Sequence, residues 1–188
     1  IKKTTKNKTV KVNNVNDIAP EITSEARFSA DENQKAIGSV TASDAEDDEI
    51  TFTVSGTELA ITSAGVLTFV AAPDFETKAS YTATVTANDG ANPVTQDITV
   101  SVTNVNDIAP VISSDATFSA AENQTAIGTV TATDADGDEI TFTVSGTELA
   151  ITSAGVLTFA SATDYETKST YTATVTASDG ANTTTQDI

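Results

Sequence analysis

The chain repeats itself after 90 residues. The segment Asn14–Pro20, which reads NVNDIAP, recurs as Asn104–Pro110, and residues 14–98 align with residues 104–188 without a gap at 66 identities in 85 positions. A repeat this close indicates tandem domains rather than one large fold. The predicted boundaries are a tail over 1–13 that belongs to a preceding unit or to cloning, a linker over 14–20, a first repeat over 21–103, a second linker over 104–110, and a second repeat over 111–188 that stops before its next linker.

Apolar residues alternate with Thr or Ser inside each repeat. The clearest segments are Ile50–Val54 (ITFTV) and Tyr81–Ala87 (YTATVTA), and a period of two predicts half-buried strands. Strands are predicted over 22–29, 37–43, 50–54, 59–62, 65–70, 81–87 and 95–103. Seven short strands per repeat predict an all-β chain of two tandem seven-stranded antiparallel Greek-key sandwiches of immunoglobulin-like size. The predicted core of the first repeat is Phe28, Val40, Phe52, Val54, Leu67, Phe69, Tyr81, Val85, Val100 and Val102.

The composition excludes several classes of function. The chain has no Cys, His, Trp or Met, and its 27 acidic and 9 basic residues give a formal charge of −18. Without Cys or His there is no Ser-His-Asp triad, no Cys nucleophile and no thiolate or imidazole metal site. The acidic excess argues against nucleic acid, and no stretch has the roughly 20 apolar residues of a membrane helix. We therefore expect no enzyme, no nucleic-acid partner and no membrane insertion by these residues.

Acidic residues recur at the same loop positions in both copies. In a run of antiparallel strands, alternate loops lie at opposite ends of the sandwich. We call the end at which each repeat's chain enters the upper end and the opposite end the lower end. The alternation of loops places two acidic loops of the first repeat at its lower end, where the chain enters the second linker. It places two acidic loops of the second repeat at its upper end. The carboxylates expected to meet at this junction are Glu32, Asp74, Glu76, Asp107, Asp134, Asp136 and Asp179.

Seven carboxylates at one junction would repel one another unless cations neutralised them. Oxygen-only ligands select a hard cation, and a crowded anionic site suits Ca²⁺ better than Mg²⁺. The loop Asp134–Asp138 has the spacing of the first EF-hand ligands, but Glu139 stands where that loop needs Gly and Ser145 stands where it needs Glu. The predicted cofactor is therefore Ca²⁺ at the junction, without an EF-hand.

These motifs resemble the cadherin repeat in its bacterial form over residues 14–188. That family has a Glu in its first loop, a later Asp-x-Glu, an Asn- and Asp-rich linker before Ala-Pro, an Asp-x-Asp, and an Ala-x-Asp before Gly. The matching residues here are Glu32, Asp74 and Glu76, the linker 104–110, Asp134 and Asp136, and Asp179. The chain departs from the pattern where Asn104 and Ile108 replace the outer Asp and Asn, where Glu46 replaces an Asp, and where Gly180 follows Asp179 one residue early.

The resemblance implies three Ca²⁺ ions at the junction. Glu32, Asp74, Glu76 and Asp107 would bind the first pair, and Asp136 would bridge onward. Asn106, Asp134, Asp136 and Asp179 would bind the third ion, with the carbonyls of Val105 and Ile108 as further ligands. The equivalent upper site of the first repeat would use Asn16, Asp17, Asp44, Glu46 and Asp89. A lower half-site of the second repeat, formed by Glu122, Asp164 and Glu166, is expected to be weak or empty because no linker follows it.

Two functions of different classes fit this resemblance. The first is a structural stalk in cell adhesion, in which Ca²⁺ stiffens each junction so that the array projects a distal adhesive domain from a bacterial cell surface. The second is a calcium-assisted binding module for a polysaccharide or a partner cadherin-like domain. The near identity of the copies favours the stalk, with neighbouring repeats of the same chain as its partners. Calcium sites that bind at about 10⁻⁴–10⁻³ M also predict an extracellular, cell-surface location.

Overall fold

Every regular element that the structure describes is a β-strand. The computed structural model describes residues 15–188, so the predicted tail over 1–13 and the first linker residue, Asn14, lie outside the described residues. Thr, Val and Ile favour extended backbone because branching at Cβ restricts χ1 and packs well on a pleated surface. Residues 15–188 contain no helix that could serve as a membrane span. The predicted all-β class is confirmed.

The chain divides between Thr103 and Asn104 into two compact units, here called unit 1 and unit 2. In unit 1 a four-stranded sheet in the order β2-β9-β8-β5 and a three-stranded sheet in the order β3-β7-β6 form the main layers, and β1 pairs with β4. The strands of unit 1 are β1 (Glu21–Ile22), β2 (Arg27–Asp31), β3 (Ala36–Ser39), β4 (Ala42–Ser43), β5 (Thr51–Val54), β6 (Leu59–Ile61), β7 (Val66–Phe69), β8 (Ser80–Asn88) and β9 (Pro93–Thr103).

The core of unit 1 is formed by the inward positions of these alternating strands. Seven of its predicted members are buried: Val40, Phe52, Leu67, Phe69, Val85, Val100 and Val102. The other three, Phe28, Val54 and Tyr81, are partly buried and pack against them. The core also includes Ala30, Leu59, Ala87 and Ile98. The period-two pattern therefore identified the buried face but missed part of its membership.

The first strand of unit 1 departs from the predicted antiparallel pattern. Instead of one strand over 22–29, β1 pairs with β4, and the chain then bends so that β2 runs parallel to β9 from Arg27↔Thr99 to Asp31↔Thr103. The predicted strand 37–43 is likewise divided between two partners: β3 pairs with β7, where the N–H of Val40 adds a bond to the carbonyl of Gly65 (2.8 Å), and β4 pairs with β1. The seven predicted strands thus appear as nine segments.

Unit 2 has the same architecture with one element missing. Its sheets run β13-β16-β17 and β11-β15-β14, and β10 pairs with β12. Residues 117–121, the counterparts of β2, are not a strand. In unit 1 that strand pairs with Thr99–Thr103 of β9. The strands of unit 2 are β10 (Val111–Ile112), β11 (Ala126–Thr129), β12 (Ala132–Thr133), β13 (Thr141–Val144), β14 (Leu149–Ile151), β15 (Val156–Phe159), β16 (Thr174–Ser178) and β17 (Thr183–Asp187).

One turn in each unit depends on glycine. Gly65 and Gly155 adopt φ values of +89° and +84°, in the left-handed region that side chains disfavour. A Cβ at either position would lie 2.2 Å from a backbone carbonyl oxygen, that of Val40 or Val130. These turns set the upper edge of the three-stranded sheet, next to the loops described below.

Candidate metal centre

The second linker is attached to unit 2 by a carboxylate. Asp136 lies in the loop between β12 and β13, and its Oδ2 accepts the backbone N–H of Asp107 (3.1 Å) and of Ile108 (2.9 Å). The Nδ2 group of Asn104 donates to the carbonyl of Asp136 (2.8 Å). Hydrogen bonds to an ionised acceptor are roughly twice as strong as neutral ones. One residue of the loop therefore fixes three residues of the linker.

A second loop holds the linker through side-chain amides. The Nδ2 group of Asn106 donates to the carbonyl of Asp179 (3.3 Å), and the Nδ2 group of Asn182 donates to Oδ1 of Asn106 (2.7 Å). The loop between β16 and β17 is itself closed by Asp179, whose Oδ1 accepts the N–H groups of Ala181 (2.8 Å) and Asn182 (2.5 Å). Such an Asx turn is a local structure that Asp favours.

Asp179 is held ionised in this loop. Its side chain is buried, with 9% exposure, and burial raises its pKa. The N–H groups of Asn182 and Ala181, together with the amides of Asn182 and Asn106, outweigh that penalty and hold the pKa of Asp179 below its ordinary value. Asp89, its counterpart in unit 1, has its pKa lowered by the same set of contacts. At neutral pH a negative charge is thus held at the upper end of each unit.

The loop after β12 and the linker beside it carry buried oxygen atoms that accept no hydrogen bond from the protein. Oδ2 of Asp134, Oδ1 of Asp136 and Oδ1 of Asn104 are buried and have no hydrogen-bond partner. Carboxylate oxygens of Asp134, Asp136 and Asp138 lie within 4.8 Å of one another. Buried polar atoms are satisfied in the great majority of proteins, so these atoms fit a cation that accepts their lone pairs.

Asp138 is part of this cluster, although the sequence pattern gave its side chain no role. Burial raises the pKa of Asp138, and the carboxylates of Asp134, Asp136 and Asp179 raise it further. Without a cation the cluster is therefore under like-charge repulsion. The pKa of Asp48 in unit 1 is raised in the same way, mainly by burial and then by the carboxylates of Asp44 and Glu46.

The upper end of unit 1 repeats the geometry. Oε2 of Glu46 accepts the N–H groups of Asp17 (2.8 Å) and Ile18 (3.0 Å), so the longer side chain makes the same two contacts as Asp136. The Nδ2 group of Asn16 donates to the carbonyl of Asp89 (3.1 Å). Oδ2 of Asp44 is buried without a partner. In residues 15–103, however, this loop does not bring three carboxylates within 4.8 Å, and it differs from the unit 2 loop at Glu46 and Asp47, where unit 2 has Asp136 and Gly137.

The lower ends of both units also gather acids. In unit 1, Oε2 of Glu32 accepts the N–H of Phe75 (2.8 Å), between Asp74 and Glu76, and carboxylate oxygens of Glu32 and Glu76 lie within 4.8 Å. Asp74 itself accepts both donors of Thr77 (3.0 Å each). In unit 2 the exposed residues Glu122, Asp164 and Glu166 lie within the same distance of one another. The amide and hydroxyl donors around Asp164, led by Thr167, lower its pKa.

The donor set selects the kind of cation. The candidate ligands within each unit are carboxylate, amide and carbonyl oxygens, and the chain has no Cys or His to offer sulfur or imidazole. Such oxygens suit Ca²⁺ or Mg²⁺, and flexible sets with several carboxylates suit Ca²⁺. The assignments of Val105 and Ile108 depend on their carbonyls and stay predictions, as does the number of ions.

Sequence reasoning missed two further residues. Asn104 was treated as a departure from the family pattern, yet its Oδ1 is one of the three buried oxygens without a partner. Asn182 was not considered, although it joins the linker to the Asp179 loop. Its counterpart Asn92 donates to Oδ1 of Asn16 in the same way (2.8 Å). The recurrence of both asparagines after 90 residues was the available signal.

Comparison with known proteins supports the fold and the family resemblance. Residues 106–188 match the family model described as bacterial Ig domain. The structure is similar to human protocadherin-24 EC1-2 (TM-score 0.74, 19% identity, 91% of this chain and 93% of that one) and to mouse cadherin-23 EC22-24 (0.75, 22%, 91% and 65%). It is also similar to Drosophila N-cadherin EC1-4 (0.70, 23%, 90%), of which it spans about half the length (48%).

No curated protein sequence matches the chain. The structural neighbours are less than 25% identical, so they establish the fold, which is the cadherin-type sandwich. Together with the family match of the second unit, they confirm the resemblance to a bacterial cadherin-like repeat.

Proposed function

We propose that the chain is a calcium-binding, calcium-stiffened repeat of a bacterial cell-surface adhesin, and that it serves as a structural stalk in cell adhesion. The observation that carries this proposal is the set of buried, unpartnered oxygens of Asn104, Asp134 and Asp136 in unit 2. Two of these residues also join the linker to the loop, because Asn104 donates to the carbonyl of Asp136 and Asp136 accepts the N–H of Ile108. A cation bound there would act on the linker directly.

Calcium would supply two positive charges to a cluster that has no basic partner of its own. Unit 2 contains twelve acidic residues and one lysine, and that lysine, Lys168, pairs with Glu148 (2.5 Å) at a distance in sequence from the cluster. Uncompensated carboxylates that are partly desolvated cost several kcal/mol or take up protons. Binding of Ca²⁺ would remove this penalty while leaving the loops and the linker in their present hydrogen-bonded arrangement.

The proposed site extends from the linker toward the preceding repeat. Asp107 and Asp136 have carboxylate oxygens within 4.8 Å of one another in unit 2, and Glu32 and Glu76 have the same separation in unit 1. We propose that both pairs share ions, as strand parity and the family resemblance predict, with Asp74 and the carbonyls of Val105 and Ile108 as additional ligands. Ions shared in this way would turn a flexible linker between the two repeats into a rigid one.

A stalk also explains why both copies are so alike. Repeat number can set the length of an array without any new recognition surface, and this requires only that each junction reproduce the same geometry. Calcium-dependent stiffness further suits an extracellular position, because sites of about 10⁻⁴–10⁻³ M are filled at the calcium levels found outside cells. No catalytic step is part of the proposal.

The ligand assignment is tested by titration calorimetry with Ca²⁺ on three alanine variants. Asp136→Ala removes the residue expected to contact two ions and should weaken binding at least about tenfold, equivalent to about 1.4 kcal/mol. Asp138→Ala should weaken it less, because the unpartnered oxygens belong to its neighbours. The matched control is Asp115→Ala, an exposed acid outside the clusters. Equal affinities for all three variants would refute the site.

Stiffening is tested separately by small-angle X-ray scattering of the full chain. In Ca²⁺ the scattering should fit one extended particle with a narrow distribution of maximum dimensions. In chelator the distribution should broaden while the circular dichroism of the strands persists. Scattering that is unchanged by chelator would argue against a calcium-stiffened stalk even if calcium binds.

A further inference from the structure

Three Asp-Gly sequences occur in the chain, each in a loop at the upper end of a unit: Asp89–Gly90, Asp136–Gly137 and Asp179–Gly180. An aspartate in this position can rearrange, because glycine has no side chain to shield its amide nitrogen from the neighbouring carboxyl carbon. The reaction requires these two atoms to reach a near-attack geometry. The hydrogen bonds that hold them therefore decide which of the three sequences reacts.

The sequence in unit 1 is held on both sides. Oδ1 of Asp89 accepts the N–H groups of Ala91 (2.7 Å) and Asn92 (2.6 Å), and its Oδ2 accepts the Nδ2 group of Asn92 (3.2 Å). The N–H of Gly90 donates to Oδ1 of Asn88 (2.9 Å). Both the carboxylate and the glycine nitrogen are thus fixed by other partners.

The last of the three sequences has the same protection. Besides the two N–H groups on its Oδ1, Asp179 accepts the Nδ2 group of Asn182 on Oδ2 (3.3 Å). The N–H of Gly180 donates to Oγ of Ser178 (3.2 Å). Asp179 is also buried, as is Asp89 in unit 1. Neither carboxyl group can turn toward its glycine without giving up several hydrogen bonds.

The sequence Asp136–Gly137 lacks these restraints. Within residues 15–188 the N–H of Gly137 donates to no acceptor, and Gly137 is exposed. Its φ is +84°, and a Cβ there would meet no atom within 4 Å, so the space beside it is open. Oδ1 of Asp136 has no hydrogen-bond partner. Only the linker holds this carboxylate, through the N–H groups of Asp107 and Ile108 on Oδ2.

We propose that Asp136 is a site of spontaneous covalent modification, at which aspartate converts to isoaspartate. The amide nitrogen of Gly137 attacks Cγ of Asp136 and forms a C–N bond, and the hydroxyl of the protonated carboxyl group leaves as water with the amide proton. A water molecule then adds to the main-chain carbonyl carbon of the five-membered ring and breaks its bond to the nitrogen. The main chain afterwards runs through Cγ.

The modification removes the contact between the loop and the linker. In isoaspartate the backbone is one carbon longer, and the carboxylate is attached directly to Cα. That carboxylate no longer reaches the N–H groups of Asp107 and Ile108, which Oδ2 of Asp136 accepts in the unmodified chain. The loop lies outside the core strands, so unit 2 keeps its fold while its hold on the linker is lost. The reaction involves no calcium, and the inference is therefore independent of the proposed function.

Unit 1 makes the same linker contact with residues that resist this reaction. Glu46 accepts the N–H groups of Asp17 and Ile18. Attack on its carboxyl carbon would have to close a six-membered ring, which forms far more slowly than a five-membered one. The next residue is Asp47 rather than a glycine, and its side chain crowds the nitrogen. The two copies therefore differ in chemical durability at an equivalent loop.

The test is incubation of the full chain in chelator at neutral pH, below its melting temperature. Proteolysis and mass spectrometry with electron-transfer fragmentation then distinguish isoaspartate from aspartate at each position. Isoaspartate should form at position 136 at least about tenfold faster than at positions 89 and 179, where hydrogen bonds must break first. In urea the three rates should converge. Equal rates in the folded chain, or the same order of rates in urea, would overturn the proposal.

Two variants move the reactivity between the units. Asp136→Glu should abolish isoaspartate formation at that loop. Glu46→Asp combined with Asp47→Gly should create a reactive site in unit 1, while Glu46→Asp alone should react more slowly because the side chain of Asp47 remains. Position 136 of the same molecule is the internal standard. A double variant whose new site stays unmodified while position 136 reacts would show that the loop does not determine the reaction.

Limited proteolysis measures the effect on the linker. Thermolysin cleaves before Val and Ile, and the linker offers Val105 and Ile108. After incubation in chelator the modified chain should be cut in the linker faster than the fresh chain, and incubated Asp136→Glu should be cut at its unincubated rate. Cleavage that does not change as isoaspartate accumulates would contradict the expected loss of contact.

Discussion

The substitution Asp136→Asn tests the candidate metal centre most directly. Oδ2 of Asp136 accepts the N–H groups of Asp107 and Ile108, while its Oδ1 is buried without a partner. An asparagine of the same shape can place its oxygen at only one of these positions. Its amide group must then face either two N–H donors or the cation. We therefore expect the variant to fold, and to bind Ca²⁺ at least about tenfold more weakly.

The expected change in stability follows from mass action. With a dissociation constant of about 10⁻⁴ M, roughly 10 mM Ca²⁺ stabilises a unit by about 2.7 kcal/mol per site. A tenfold loss of affinity reduces this to about 1.4 kcal/mol. For a domain of this size each kcal/mol shifts the melting temperature by roughly 4–8 °C. Calcium should thus raise the wild-type melting temperature by about 11–22 °C and that of the variant by about half as much.

The assay is differential scanning calorimetry of each chain in Ca²⁺ and in chelator, and the difference between the two conditions is compared. Taking the difference cancels the effect of the substitution on the calcium-free fold. Asp115→Asn, which removes the same charge from an exposed position outside the clusters, is the control. The reasoning fails if the wild-type chain melts at the same temperature in both conditions, or if Asp136→Asn and Asp115→Asn respond equally to calcium.

Three further outcomes are expected. Asp138→Asn should stabilise the chain in chelator at neutral pH, because burial and the neighbouring carboxylates disfavour the charged form of Asp138 and raise its pKa. In urea titrations this gain should shrink as the pH falls through the raised pKa and vanish below the ordinary carboxyl pKa of about 4. The pKa of Asp179 is lowered in the folded chain. Its charge therefore contributes stability above the ordinary carboxyl pKa of about 4, and this stability is lost as the pH falls through the lower pKa of the folded state. Asp179→Asn should thus be destabilising at pH 7 and nearly neutral in acid, as measured by urea titrations at both pH values. Gly146→Ala should destabilise the chain by about 1–2 kcal/mol, from the left-handed backbone conformation alone. Gly155→Ala should destabilise it by more, because its Cβ would also lie 2.2 Å from the carbonyl oxygen of Val130. The denaturant midpoints of the two variants test this difference.

The alternation of apolar and Thr residues was sufficient to predict the strands and most of the core. It missed four buried residues, Ala30, Leu59, Ala87 and Ile98. The two alanines were missed because alanine differs little from its polar neighbours in hydrophobicity and its burial is decided by the strand opposite. The break between β1 and β2 could not be read from the sequence either. The sequence of residues 23–26 contains no Gly or Pro that would predict a break. The chain bends there because β1 pairs with β4 whereas β2 pairs with β9.

The acids of the candidate site were predictable, and so were Asn16 and Asn106 through the family resemblance, but Asn104 and Asn182 were not. Carboxylates that recur at the same loop positions predict like-charge repulsion that a cation must relieve. Asp134 and Asp136 could therefore be identified from the sequence. Asn104 and Asn182 carry no charge, and an asparagine in a loop is usually explained by turn formation. Their roles depend on the direction in which Oδ1 and Nδ2 point, and that is set by the hydrogen bonds to Asp136 and Asn106.

The parallel pairing of β2 with β9 has a mechanical consequence. These strands lie near the entry and the exit of unit 1, and five successive residue pairs join them, from Arg27↔Thr99 to Asp31↔Thr103. A tensile force applied through the two ends of the unit pulls parallel neighbours in opposite directions along their own axes. The hydrogen bonds between them lie across that direction, so all are loaded in shear together, whereas a hairpin pulled from its open end would lose its hydrogen bonds singly and in sequence. Unit 1 should therefore resist sudden extension far better than its small core suggests.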